Sequence, residues 1–171
     1  PITTQEFVIT NNPAPVVAQD NGEIVKPKYS EFLHLPHNLV GFFDYDEALA
    51  YSKKVGKPLF VDFTGHGCVN CREMEMRVWS DPRVLNLLRE KFVIVALYAD
   101  DKKVVDKEDW VTLDDGKVLK TLGKINSEFA RRKFNVNAQP FYAILGPDEE
   151  PIATRGYNLD VEGFIEFLET K

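Results

Sequence analysis

Apolar and polar residues change period several times along this chain, and the changes mark its elements. In "FDYDEALAYSKKVGKP", residues 43 to 58, apolar positions recur at helical spacing, Asp44 and Glu47 are spaced as a capping box, and Gly56-Lys57-Pro58 closes the segment. That predicts one helix. "PLFVDF" follows as a short apolar run that fits a buried strand, and the glycine-flanked "TGHGCVNC" opens into "REMEMRVW", which reads as a helix. "SDPRVLNLLREKF" repeats the start signal, with Ser80 or Asp81 as cap, Pro82 at the first helical position, and Val84, Leu87 and Leu88 on one face. It leads into the strand "FVIVALYAD". Later, "INSEFARRKFNV" predicts a helix, "PFYAIL" and "PIATRGY" predict strands, and "DVEGFIEFLETK" predicts a closing amphipathic helix.

The order is therefore β-α-β followed by α-β-β-α. Alternation in the first part implies a parallel strand pair, and the short link "GPDEEP" between the last two strands implies a hairpin. The expected fold class is α/β, a central mixed sheet with helices on both faces. Two regions break the pattern. Residues 1–40 hold the alternating piece "QEFVIT", three prolines within residues 11–28 and a turn-type Asn21-Gly22, and read as an N-terminal arm or linker ahead of a domain spanning 41–171. Residues 100–122 are strongly charged and carry Asp115-Gly116 between "WVTL" and "KVLKTL", the signature of a hairpin in an insertion.

Composition narrows the function classes. With 171 residues, 44% of them hydrophobic, the chain can bury an ordinary core. A net charge of −6 without a basic cluster argues against gripping nucleic acid or an anionic membrane surface. The longest apolar run, "FVIVALYA", has eight residues, against the ~20 that a spanning helix needs. The chain starts at Pro1 with no signal-like stretch, which reads as a processed chain or an excised domain.

The chemistry concentrates in "DFTGHGCVNCREMEM", residues 62 to 76, which holds both cysteines of the chain. A structural staple is the weaker reading, because so short a disulfide loop stabilises a fold little. A zinc site would have to draw on His34, His37 and His66, and only His66 lies beside Cys68 and Cys71; no second pair has metal-site spacing. A dithiol/disulfide couple fits best, since a C-x-x-C at a helix start meets unpaired N–H groups and the positive end of the helix dipole. Lowering a thiol pKa from ~8.5 to ~7 raises the thiolate fraction at pH 7 about 16-fold. Reduced nucleophilicity takes back roughly four- to sixfold of that, so attack gains only severalfold, while the thiol leaves a mixed disulfide more readily. Cys68 at the loop–helix junction is the expected attacker, and Cys71, one turn inside, the resolving thiol.

Two acids accompany the pair. Residues 68, 71 and 75 fall at i, i+3 and i+7, so Glu75 shares the helix face of both sulfurs; its plain alternative is a solvated helix residue. Asp62 interrupts a strand buried on both faces, where desolvation raises a carboxyl pKa and makes it a candidate base for Cys71. Its plain alternative is a buried acid bonded to backbone or to Lys57. His66 reads as a loop residue.

These residues resemble the thioredoxin superfamily across positions ~41 to 170. "VDF" ahead of the cysteines looks like its strand with a buried acid, "FNVNAQP" like the segment ending in its cis-proline loop, and "PIATRGYNLDVEGFIEFL" like its last strand and helix. Within the superfamily, "CVNCREMEMRVWSDPRV" is similar to the C-terminal domain of the DsbD-type thiol:disulfide interchange proteins. The resemblance implies a periplasmic relay domain needing no cofactor beyond its own disulfide, tethered to the inner membrane in the full-length protein. A transmembrane domain of the same protein would deliver electrons, and partners with exposed disulfides or dithiols, such as those of cytochrome c biogenesis, would receive them. It implies that Cys68 is the nucleophile, Cys71 the resolving thiol, and Asp62 and Glu75 the acids that tune them. Pro140, Gln139, Gly156 and Gly67 would line the partner groove, and the domain itself would be monomeric.

Gly67 stands where many thioredoxins have tryptophan, and Gln139-Pro140-Phe141 replaces the common aliphatic-Pro-Thr, so the groove is differently shaped. Two rivals keep the same fold: a general thioredoxin-type disulfide reductase served by a flavoenzyme, and a non-catalytic binding module.

Overall fold

The computed structural model describes residues 17–18 and 24–171. A four-stranded sheet forms its centre, built from β3 (Leu59–Thr64), β4 (Val93–Tyr98), β7 (Phe141–Leu145) and β8 (Pro151–Arg155) in the order β4-β3-β7-β8. β3 and β4 run parallel, while β3–β7 and β7–β8 are antiparallel, as the alternation and the short last link predict. Every residue of β3 and β4 is buried, so β4 reads as a continuous apolar run and β3 as one broken only by Asp62 and Thr64, instead of alternating.

Helices cover both faces. On one face lie α2 (Val69–Met74), continued by one π-helical turn at Glu75–Trp79, α3 (Pro82–Lys91) and α5 (Val161–Leu168). Met74, Val78, Trp79, Val84, Leu88, Phe164 and Phe167 pack there around Phe60. On the other face α1 (Tyr45–Val55) and α4 (Leu122–Phe134) bring Ala48 and Ala130, with Phe129 and Phe134, against Leu59, Val61 and Phe63. Strand alternation therefore turns Asp62 toward the α2 side, beside Phe60 and Thr64. The ends follow the sequence signals. Asp44 accepts the Glu47 N–H at 3.0 Å, Gly56 closes α1 at φ 71°, and Asp81, not Ser80, caps α3 through the Arg83 N–H at 2.9 Å.

Part of the stretch expected as an arm is packed into the core instead. Leu33, Leu35 and Leu39 are buried in the α2-side core, so the packed body starts before residue 41. The charged surroundings and prolines of residues 26–40 hide these three leucines, which lie in no regular period. Phe42 then bridges Val95 in parallel, at the edge of β4. Farther upstream, β1 (Val17–Ala18) pairs antiparallel with β2 (Ile24–Val25); "QEFVIT" and the Asn21-Gly22 turn lie outside the described residues.

Within residues 100–122, β5 (Val111–Thr112) pairs antiparallel with β6 (Val118–Leu119), and Gly116 takes φ 90° in the connecting turn. This hairpin is anchored: Val105 and Leu119 are buried, and the Trp110 indole donates to the Val105 carbonyl at 3.0 Å. α4 begins three residues earlier than "INSEF" implies, capped by Thr121. Among the described residues no helix is long and apolar enough to cross a membrane.

Candidate active site

Cys68 caps α2 and is bonded to Cys71, with a Cα–Cα distance of 5.2 Å. The Cys71 N–H donates to Cys68 Sγ at 3.1 Å. This is one of the orphan donors of the helix start, and it is aimed at the sulfur that would carry charge after reduction. Cys68 is partly exposed and its neighbour Val69 is 78% exposed, whereas Cys71 is 1% exposed. A partner can therefore reach the first sulfur and not the second.

Two acids stand on the same face of the sheet as α2. Asp62 is buried and Glu75 keeps only 12% of its side-chain surface exposed, which removes the solvated reading of Glu75. Burial pushes the Asp62 carboxyl well above its ordinary value, and the Glu75 charge adds to the shift. Burial also raises Glu75. Opposing both is Arg72, whose guanidinium donates to Glu75 Oε2 at 3.0 Å and to Thr64 Oγ1 at 2.8 Å. The charges acting on Asp62 are thus Glu75 and Arg72 instead of Lys57. His37, from the packed N-terminal segment, places Nε2 2.7 Å from the Glu75 carbonyl oxygen and further counters the rise of Glu75. A carboxyl whose pKa burial has raised lies closer to that of a thiol and is better matched to exchange a proton with one.

The remaining predicted residues gather at the same end of the sheet. Phe63, near the end of β3, pairs with Phe141, which follows Pro140, so the cysteine loop and the proline loop leave adjacent strands side by side. The Gln139–Pro140 peptide is cis. Gly156 is exposed and faces the Pro140 carbonyl, 4.0 Å from where a Cβ would stand. Gly67 donates its N–H to Asp100 Oδ2 at 2.9 Å. Tyr157, beside Gly156, donates its hydroxyl to Glu73 of α2, linking the last strand's exit to the cysteine helix.

His66 does not turn toward the sulfurs. Its ring stacks on Tyr98 at 4.5 Å between centroids and places Nε2 2.6 Å from Asp101 Oδ2. Among the described residues no group of three or more His, Cys, Asp or Glu side chains could hold a metal ion. Sequence reasoning missed Arg72, Thr64, Asp100 and Asp101. The i, i+3 spacing of Arg72 and Glu75 was a legible signal; Asp100 lies 33 residues from Gly67, and nothing local announces its contact.

Comparison with known proteins identifies the fold. A family model described as thioredoxin-like matches residues 40–147. The thiol:disulfide interchange protein DsbD of Salmonella typhi is 40% identical over 53 residues, 31% of this chain and 9% of that protein. Spermatogenesis-associated protein 20 of Rattus norvegicus is 29% identical over 99 residues, 57% of this chain and 12% of that protein. The chain thus spans about a tenth of the length of the curated relatives it matches. Among solved structures, a thioredoxin from Thermus thermophilus superposes with a TM-score of 0.54 at 26% identity, covering 75% of this chain and 83% of that one.

Proposed function

The chain belongs to the thioredoxin-like family, and we propose that it is a thiol:disulfide oxidoreductase that relays electrons through Cys68 and Cys71, from a membrane domain of its full-length protein to periplasmic partners. The observation that carries the reading is the asymmetry of the pair: Cys68 is reachable and receives the Cys71 N–H, while Cys71 is buried on the face of the sheet that also holds two carboxyls of raised pKa. The similarity to DsbD over 53 residues supports the relay and its compartment.

In the forward step the Cys68 thiolate attacks a partner disulfide, forming a mixed disulfide and expelling one partner thiolate. Cys71 then loses its proton toward the Asp62–Glu75 pair and attacks Cys68 Sγ. The Cys68–Cys71 bond re-forms, the second partner thiolate leaves, and two electrons have passed to the partner. Recharging runs the same steps in reverse against a dithiol donor. Gln139, Pro140, Gly156 and Gly67 border the place where the partner segment docks, and no cofactor takes part.

The test is a Cys71→Ser variant in the full-length protein, which stalls at the mixed disulfide. Non-reducing electrophoresis and mass spectrometry should identify periplasmic thioredoxin-fold or cytochrome-maturation proteins joined to Cys68. Cytoplasmic targets alone would support a general disulfide reductase, and absence of any Cys68 adduct would support a binding module.

A further inference from the structure

The residues that follow β4 grip the loop in front of Cys68. Asp100 Oδ1 accepts the His66 N–H at 2.7 Å and Oδ2 accepts the Gly67 N–H at 2.9 Å. A Cβ on Gly65 would stand 3.1 Å from the same carboxylate, so the loop is closely seated on it. Partial desolvation alone would raise the Asp100 carboxyl, but the two N–H donors and the His66 charge outweigh that and hold it below the ordinary carboxylate value. Asp100 is therefore an anion at neutral pH, bonded one residue from Cys68. Beside it, the buried Asp101 faces the His66 ring with Oδ2 and accepts the Lys103 N–H at Oδ1, 2.9 Å away.

A thiolate at Cys68 is favoured by the helix start and opposed by a nearby negative charge. Asp100 supplies that charge and also occupies two of the loop's N–H donors. We propose that Asp100 is a positioning residue that sets the reducing power of the Cys68–Cys71 couple, seating the loop while limiting how far the Cys68 thiolate is stabilised. The inference rests on the reading of Cys68 as the attacking thiol, and it makes this couple a better donor of electrons than the helix start alone would allow.

The balance of the half-reaction gives a distinctive signature. Below the Cys68 pKa, reduction of the disulfide takes two electrons and two protons and yields two neutral thiols, which barely feel Asp100. Above it, only one proton is taken up and the product carries the thiolate that Asp100 repels. Removing the charge therefore leaves the low-pH potential unchanged and raises the high-pH potential. His66 and Asp101, the other ionisable groups at this loop, remain in place. Asp100 is exposed, so screening keeps the effect to about three- to tenfold in the redox equilibrium constant, equivalent to about 14–30 mV at 29.6 mV per decade.

The experiment equilibrates the full chain and its Asp100→Asn, Asp100→Ser and Asp100→Glu variants with glutathione at pH 5.5 and pH 9, and measures the Cys68 pKa from the pH dependence of iodoacetamide alkylation, mapped by mass spectrometry. The Asn and Ser variants should lower the Cys68 pKa and become less reducing at pH 9 only, and the Glu variant should behave as wild type. An equal offset at both pH values, or an unchanged Cys68 pKa, overturns the inference. If wild-type alkylation maps to Cys71 instead of Cys68, the attacking-thiol reading falls first and this one with it.

Discussion

Arg72 donates to Glu75 at 3.0 Å from the position directly after Cys71, setting a cation against two carboxyls, Asp62 buried and Glu75 half-buried, whose desolvation drives them the other way. The site is poised between these effects: burial raises the pKa of both acids, and Arg72 draws it back down. Without Arg72 the rise is less opposed, which disfavours the carboxylate form that would accept a proton from Cys71.

Arg72→Met should accordingly raise the pKa of both Asp62 and Glu75 and shift the pH–rate profile of mixed-disulfide resolution to higher pH. At pH 7 the resolution rate should fall by about three- to tenfold, the scale of one partly buried charge interaction. Stopped-flow release of a chromophoric thiol from Cys68 checks it; an unshifted profile would mean that Arg72 acts on structure alone. Asp62→Asn combined with Glu75→Gln should slow resolution further while leaving the fold intact.

Asp62 also makes stability depend on pH. Its folded pKa lies well above the ordinary 3.8, so between the two values the folded state binds more protons than the unfolded state. Stability then falls as pH rises through that window and levels off above the folded pKa. Asp62→Asn removes this loss. Urea denaturation of the oxidised protein should show the variant more stable at pH 7 by on the order of 1–3 kcal/mol, with the gain shrinking toward pH 4. Glu75, raised in the same direction, should leave a residual slope.

The exposure of the two sulfurs sets their reactivity. With Cys71 1% exposed, its thiol should react only through transient opening, so iodoacetamide should label Cys68 about a hundredfold faster at neutral pH. Equal rates in a peptide-mapped time course would contradict the assignment of roles.

What was legible in the sequence follows the range of each interaction. The β-α-β order, the caps at Asp44 and Asp81 and the Asp115-Gly116 turn are all set within a few residues, and the structure has them. Asp62 could be singled out because a lone carboxylate in an apolar run is conspicuous. Asp100 could not, because it lies in a charged stretch where one more acid carries no signal and only the parallel pairing of β3 with β4 brings it under the cysteine loop. The leucines before residue 40 were obscured for a similar reason, since residues that pack without regular structure leave no period to read.

Those leucines make the final prediction. Leu33 and Leu39 are each 1% exposed in the core that supports α2, and Gly41 passes so close to β4 that a Cβ there would stand 2.6 Å from the Ile94 carbonyl oxygen. A segment seated this tightly belongs to the folded unit. Leu33→Ala and Leu39→Ala should each cost about 2–4 kcal/mol, lowering the melting temperature by about 2–4 °C for each kcal/mol. Gly41→Ala should destabilise by overpacking against backbone that cannot move aside. A truncation that starts at residue 41 removes Leu33, Leu35 and Leu39 together and takes His37 away from Glu75, so it should lose cooperative unfolding in urea or survive only as a markedly weaker fold. If that truncation instead unfolds cooperatively with the stability of the full chain, residues 29–39 are a removable arm after all, and the His37 contact contributes nothing to the site.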